Sequence, residues 1–313
     1  MSICHFYQAY GLIFGSDRPI DSLPPTGPQI AQVTIRRGKV ADHVGQLAFT
    51  TSHANWQATK DIFWLHIENV ARYLVRNGNE IWIEPASAAR DEDVNAFLIS
   101  SAFAALLQQR RILTLHASAI MADHGSILFV GKSGVGKSTT LAALSDRGYE
   151  MVTDDIAAIA VADDGTAEII PSFPATRLRG DALAKLGKSK ADYLRLRSKV
   201  EKYIVPVHDF DAAPKPVHRV FLLDIHGKRE IEKVPLGLTD AFYWLSYFTF
   251  RKRFYDGMQL GEFHFQKLSK LVQATPVHQI RRPDHPYLLD ELVDRIVAEI
   301  EAPMVRNEAL TTN

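Results

Sequence analysis

Eight residues constrain this chain more than any others: Gly131-Lys132-Ser133-Gly134-Val135-Gly136-Lys137-Ser138. They have the spacing G-x-x-x-x-G-K-[ST]. An apolar run of strand type, Ser126 to Val130, precedes them, and a helix-type run, Lys137 to Arg147, follows. A strand that turns into a helix over so few residues needs glycine where the backbone bends. The bend leaves successive N–H groups pointing inward at a helix N-terminus, where negative charge is favoured. The pattern predicts a strand–loop–helix unit in an α/β fold and a triphosphate site, ATP with Mg²⁺. That site is built from Gly131, Lys132, Ser133, Gly134, Val135, Gly136, Lys137, Ser138 and Thr139. Lys137 would reach the β- and γ-phosphates, and the Ser138 hydroxyl would face the metal. The alternative is an ordinary glycine-rich turn, which the two flanks disfavour.

Length and composition narrow the rest. The 313 residues suit one large domain or two ordinary ones, and a hydrophobic content of 46% supports a real core. Lys+Arg and Asp+Glu are both 36, so no global charge argues for a nucleic-acid or membrane partner. A single cysteine, Cys4, excludes an intramolecular disulfide and a cysteine-rich zinc site. No secretory signal is visible, and no apolar run reaches the ~18 residues of a membrane span. The expectation is a soluble, cytoplasmic protein.

Residues 1–110 read as a smaller N-terminal α/β domain for substrate or partner binding. Residues 111–302 read as the ATP-binding catalytic domain, and 303–313 as a tail. Within the first part, Ile30 to Ile35 alternates like a half-buried strand. Ala71 to Arg76 and Glu80 to Glu84 form a hairpin about Asn77-Gly78. Asp91 is placed to cap a helix running to about Gln109. His43, His53 and His66 lack metal-like spacing.

Two further segments converge on the loop. If Leu113 to Met121 and Ser126 to Val130 pair antiparallel with Met121 opposite Ser126, paired numbers sum to 247 and His116 falls opposite Gly131. Tyr149 to Thr153 is the next strand, ending in Asp154-Asp155. Carboxylates there point toward the metal and γ-phosphate region, and two adjacent ones need a nearby cation. A plain turn cap is the alternative.

Leu115-His116-Ala117-Ser118, the glycine loop and Val152-Thr153-Asp154-Asp155 together resemble the C-terminal kinase domain of the HPr kinase/phosphorylase family, over roughly Arg111 to Arg179. The resemblance implies a serine kinase of peptides or small proteins on a phosphate-loop fold similar to phosphoenolpyruvate carboxykinase. It implies that Asp155 accepts the hydroxyl proton, His116 supports it, Lys137 holds phosphate and Ser138 holds Mg²⁺; by its position Asp154 would share the metal, directly or through water. Two positions differ: Thr139 follows the loop serine where the family has Glu, and Arg177 stands where a metal-holding Glu precedes Arg-Gly. The first third resembles HPr-kinase-like proteins encoded beside peptide-tailoring genes, which implies a lasso-peptide precursor as acceptor. Hexamers of the family make self-association an expectation.

Arg177 to Lys202 carries nine Lys/Arg against three Asp/Glu, a basic arm with Arg177 and Arg179 as substrate contacts, or else a solvated surface. Ala241 to Phe250 is strongly aromatic: a helix burying its rings in the core, or a peptide or subunit contact. Arg219 to Ile225 reads as a buried strand, and Tyr287 to Ile300 as a closing amphipathic helix. His278 and His285 have no evident partner. A non-catalytic nucleotide-binding regulatory module and a kinase of a small hydroxylated metabolite remain as other readings.

Overall fold

A computed structural model of the protein describes residues 3–44, 48–50, 54–285 and 288–301. They form a mixed α/β fold with two nine-stranded sheets and a three-stranded one. His53, Tyr287 and the segment from Pro303 lie outside the described residues.

The first sheet is built from the N-terminal third. The hairpin Ala71–Arg76 and Glu80–Pro85 turns at Asn77, in the left-handed region at φ 52°, and Gly78 at φ 63°. Val33–Arg37 runs parallel to Glu80–Pro85, so the strand starts later than the alternation from Ile30 suggests; Ile30 itself is exposed. The helix behind this sheet begins at Asp91 with Arg90 as its cap residue, so Asp91 is its first residue and not its cap. Asp91, Glu92 and Asp93 place negative charge at the positive end of the helix dipole. The expected single helix is interrupted: Asp91–Phe97 and Phe103–Gln109 are α-helical, but Leu98–Ala102 between them is π-helical. Ser100 Oγ donates to the Ala96 carbonyl at 2.6 Å inside that stretch. Phe103 stacks on Phe14 at 4.6 Å. The same core takes in Ile156, Phe173, Phe254 and Tyr255 from later in the chain.

In the second sheet Ala117–Ala122 and Gly125–Val130 pair antiparallel with Met121 opposite Ser126, the register whose numbers sum to 247. Gly125–Val130 is buried along its whole length. It runs parallel to Lys215–His226, which runs parallel to Val277–Pro283. An apolar run is what a strand covered on both faces requires. The expected strand Leu113 to Met121 breaks at His116. Leu113–Leu115 crosses to pair with Ala157–Val161, and the His116 N–H donates to the Phe248 carbonyl at 2.7 Å. The ladder with the loop strand therefore stops at Ala117 opposite Val130, and His116 sits just beyond it.

The basic stretch 177–202 is folded. Ala175–Arg179 and Leu194–Arg197 flank Val200–Pro206 in the three-stranded sheet, with the short helix Gly180–Lys185 between the first two in sequence. Its far end is tied to the N-terminal helix, where Asp93 accepts from the Ser198 N–H at 3.0 Å and the Ser198 hydroxyl at 2.5 Å. The aromatic helix, Leu238–Tyr247, divides its rings. Ala241 and Leu245 face the core and Phe248 beyond it is buried, while Tyr243 and Tyr247 are each 59% exposed. Leu289–Glu301 closes the fold by burying Leu292, Val293, Ile296 and Ile300. Among the described residues no helix is long and apolar enough to cross a membrane.

Candidate active site

The glycine loop joins the buried strand Gly125–Val130 to the helix Lys137–Ser145. Gly131 turns at φ 151°, and a Cβ there would lie 2.5 Å from the Leu223 carbonyl oxygen. Glycine is thus required both by conformation and by the neighbouring strand. Gly136 precedes the helix at φ 114°. Lys137 is buried and curls under the loop, its Nζ donating to the carbonyls of Gly131 at 2.8 Å and Lys132 at 3.3 Å. Burial pushes its pKa down to about 8, against the pull of Asp154 and Asp155. From outside, Arg282 Nη2 donates to the Val135 carbonyl at 3.0 Å and braces the loop.

Asp154 is the hub beneath the loop. Its Oδ1 accepts from Ser118 Oγ at 2.6 Å and Ser138 Oγ at 2.9 Å. Its Oδ2 accepts from Thr176 Oγ1 at 2.9 Å and the Arg177 N–H at 2.8 Å. One carboxylate therefore links the hairpin strand, the loop helix and the three-stranded sheet. It also engages the Ser138 proton, which leaves the lone pairs of that oxygen for a cation.

Asp155 follows in the left-handed region, φ 75°, a conformation uncommon for residues with a side chain and typical of sites that over-determine it. Thr153 Oγ1 donates to the Ile156 carbonyl at 2.7 Å across the same turn. Arg177 Nη1 forms an ion pair with Asp155 Oδ2, and Lys202 Nζ lies 3.9 Å from Oδ1. His116 Nδ1 is 3.8 Å from Oδ1 and 3.1 Å from the Asp155 main-chain carbonyl. A carbonyl can only accept, so Nδ1 carries the proton and the neutral ring keeps its lone pair on Nε2. Burial, then the Lys137 charge, lowers the His116 pKa, so the neutral form prevails near pH 7. Burial by itself would raise the Asp155 pKa, but Arg177, Lys202, His116 and Lys137 outweigh it and hold the carboxyl well below the usual range.

A cavity of about 460 Å³ opens over these groups. Of the expected site residues it is lined by His116, Ser133, Gly134, Gly136, Lys137, Ser138, Thr139, Asp154, Asp155, Arg177 and Arg179. Gly131, Lys132 and Val135 do not line it; they shape it through the carbonyls that hold Lys137 and Arg282. Arg177 and Arg179, expected together on the substrate, are separated: Arg177 is buried against Asp155, whereas Arg179 is largely exposed and lies 3.5 Å from Asp181. Sequence reasoning missed Lys202, Thr176 and Arg282, and gave Ser118 no role. Ser118 had a signal, since two residues on from His116 it would share a strand face. Lys202 had none, because it reaches Asp155 only through the pairing that sets it opposite Arg179. Among the described residues no three His, Cys, Asp or Glu side chains gather as a metal cage.

No protein-family model and no curated protein matches the chain. Among solved structures, the HPr(Ser) kinase/phosphatase from Coxiella burnetii aligns with 60% of this chain and 99% of its own length, at 16% identity and a TM-score of 0.30. That superposition is too loose to carry an argument about fold or function.

Proposed function

We propose that this protein is an ATP-dependent kinase that transfers the γ-phosphate to a serine hydroxyl of a peptide or small protein, with a peptide-tailoring substrate such as a lasso-peptide precursor as the acceptor class. One observation carries the reading: the turn Thr153–Ile156 brings a half-buried carboxylate, Asp155, into the same cavity as Lys137 and Ser138 of a glycine loop at a helix N-terminus. Phosphoryl transfer asks a protein for positioning and charge neutralisation more than for covalent help, and this arrangement offers both.

In this reading the backbone of the loop and Lys137 hold the triphosphate. Ser138 Oγ would hold Mg²⁺, with Asp154 behind it fixing the hydroxyl, and the ion would supply neutralisation of the phosphate charge. The serine oxygen forms a bond to the γ-phosphorus as the bond from that phosphorus to the bridging oxygen breaks, and ADP leaves. The hydroxyl proton passes to Asp155. A carboxylate held below its usual range is a weak base, which suits a loose transition state where the proton leaves late. His116, neutral and fixed by the Asp155 carbonyl, orients that turn. The open cavity and the basic wall of the three-stranded sheet support a peptide over an enclosed metabolite.

The test is transfer from ATP and Mg²⁺ to a panel of serine-containing acceptors, including HPr and lasso-peptide precursors, read by intact mass. One acceptor should gain a single phosphate, and Asp155→Asn should abolish the gain while ATP binding persists. Full activity in that variant would refute the base assignment. Tight ATP binding with no transfer to any acceptor would instead make the protein a nucleotide-binding regulatory module.

A further inference from the structure

Arg177 is a buried cation, 4% exposed, whose part in the proposed chemistry so far is only its charge beside Asp155. Its main-chain N–H donates to Asp154 Oδ2 at 2.8 Å, Nη1 is paired with Asp155 Oδ2, and Nη2 donates to the Ile99 carbonyl at 3.3 Å. Phe173 lies 6.0 Å from the guanidinium. Ile99 belongs to the π-helical stretch Leu98–Ala102, so the third contact comes from the N-terminal part of the chain. A π-helical turn displaces carbonyls from the regular ladder and frequently marks a functional site. The planar fork of arginine suits a bridge between two oxygens on different segments, which a lysine ammonium on a flexible stem cannot make with the same rigidity.

We propose that Arg177 is the positioning residue of the transfer, a fixed bridge that holds the Asp155 carboxylate in line while being held itself by the Ile99 carbonyl of the N-terminal segment. This rests on the kinase reading above and adds to it that residues 98–102 complete the active site. Lys202, the second cation near Asp155, cannot substitute: at 3.9 Å it lies beyond hydrogen-bond distance and adds charge without direction. A carboxylate left without its bridge would be free to rotate away from the incoming hydroxyl. Misplacing a reacting group by about 1 Å costs on the order of 10²-fold in rate.

The experiment compares wild type with Arg177→Gln, Arg177→Lys and Arg177→Ala in steady-state transfer to the acceptor found above, with ATP affinity measured separately. Arg177→Gln should lower kcat by about 10²-fold while the KM for ATP stays within about threefold. Methylguanidinium should restore part of the kcat of Arg177→Ala but none in Arg177→Ala combined with Asp155→Asn. If Arg177→Gln does not fold, Arg177→Lys decides: its melting temperature should stay near wild type while kcat drops about tenfold. A wild-type kcat in Arg177→Lys or Arg177→Gln, or a loss of ATP binding in proportion to kcat, overturns the positioning role and leaves the kinase reading standing. No transfer by the wild type to any acceptor overturns the kinase reading, and this role with it.

Discussion

Replacing Asp154 with alanine should cost more stability than any other single change around the cavity. Four donors converge on its carboxylate, and three of them are deeply buried: Ser118 at 0% exposure, Thr176 at 2% and the Arg177 main-chain N–H, in a residue at 4%. The hydroxyls can rotate toward other acceptors, but the Arg177 N–H cannot. Leaving a buried donor unsatisfied costs about 1–3 kcal/mol, and hydrogen bonds to an ionised acceptor contribute about 1.5–3 kcal/mol each. Allowing the hydroxyls to recover most of theirs, Asp154→Ala should lose about 3–5 kcal/mol, the range for breaking a buried charged network. With a urea slope of about 3 kcal/mol/M, the unfolding midpoint should fall by about 1–1.7 M. Asp154→Asn keeps one carbonyl oxygen but turns an NH₂ toward one pair of donors, so it should fall between. Ser118→Ala combined with Asp154→Ala should cost less than the two single losses added, because both remove the same bond. Equilibrium urea unfolding followed by circular dichroism and by tryptophan fluorescence is the assay. A midpoint for Asp154→Ala within about 0.2 M of wild type would show that the carboxylate is not a hub.

Two other expectations follow from the same geometry. Gly131→Ala would put a methyl 2.5 Å from the Leu223 carbonyl oxygen at a φ of 151°, so it should destabilise by about 2–4 kcal/mol and weaken ATP binding more than tenfold; calorimetric titration with an unchanged Kd would contradict this. His264, buried with its Nε2 2.8 Å from Thr249 Oγ1, has a pKa pushed down to about 4, first by burial and then by Lys252. Between about pH 6.5 and 4 the unfolded chain binds this proton and the folded one does not, so stability falls as pH is lowered by up to about 1.4 kcal/mol per pH unit. His264→Gln should flatten that acid limb in melting curves taken from pH 7 to 4, and a limb of unchanged slope would rule the histidine out.

Much of the fold around the cavity was legible in the chain because it depends on local periodicity and on glycine. The hairpin register about Ala122–Gly125 followed from where two apolar runs must meet, and in the first sheet Asn77-Gly78 marked the turn of the hairpin Ala71–Arg76 and Glu80–Pro85 without help from distant residues. What escaped depends on contacts between segments far apart in sequence. The break at His116 arises because Leu113–Leu115 is claimed by Ala157–Val161 and by the backbone near Phe248, neither visible from the run itself. Apolar periodicity cannot tell a π-helical turn from an α-helical one, so Leu98–Ala102 looked like ordinary helix. The basic count over 177–202 pictured one surface, whereas Arg177 lies within the strand Ala175–Arg179, buried against Asp155, and Arg179, at the end of that strand, is exposed beside Asp181.

The tie between Asp93 and Ser198 has a consequence for how this chain can be altered. The strand pair that carries Lys202 to the cavity is fastened at its far end to the helix that begins at Asp91, and the same helix run supplies the Ile99 carbonyl. A chimaera that exchanged residues 1–110 for a foreign domain would therefore remove two fixtures at once while leaving every loop residue intact. Swapping would have to carry 93–99 and 194–202 as one cassette, and substitutions at positions 93 and 198 should be tolerated in pairs before they are tolerated singly.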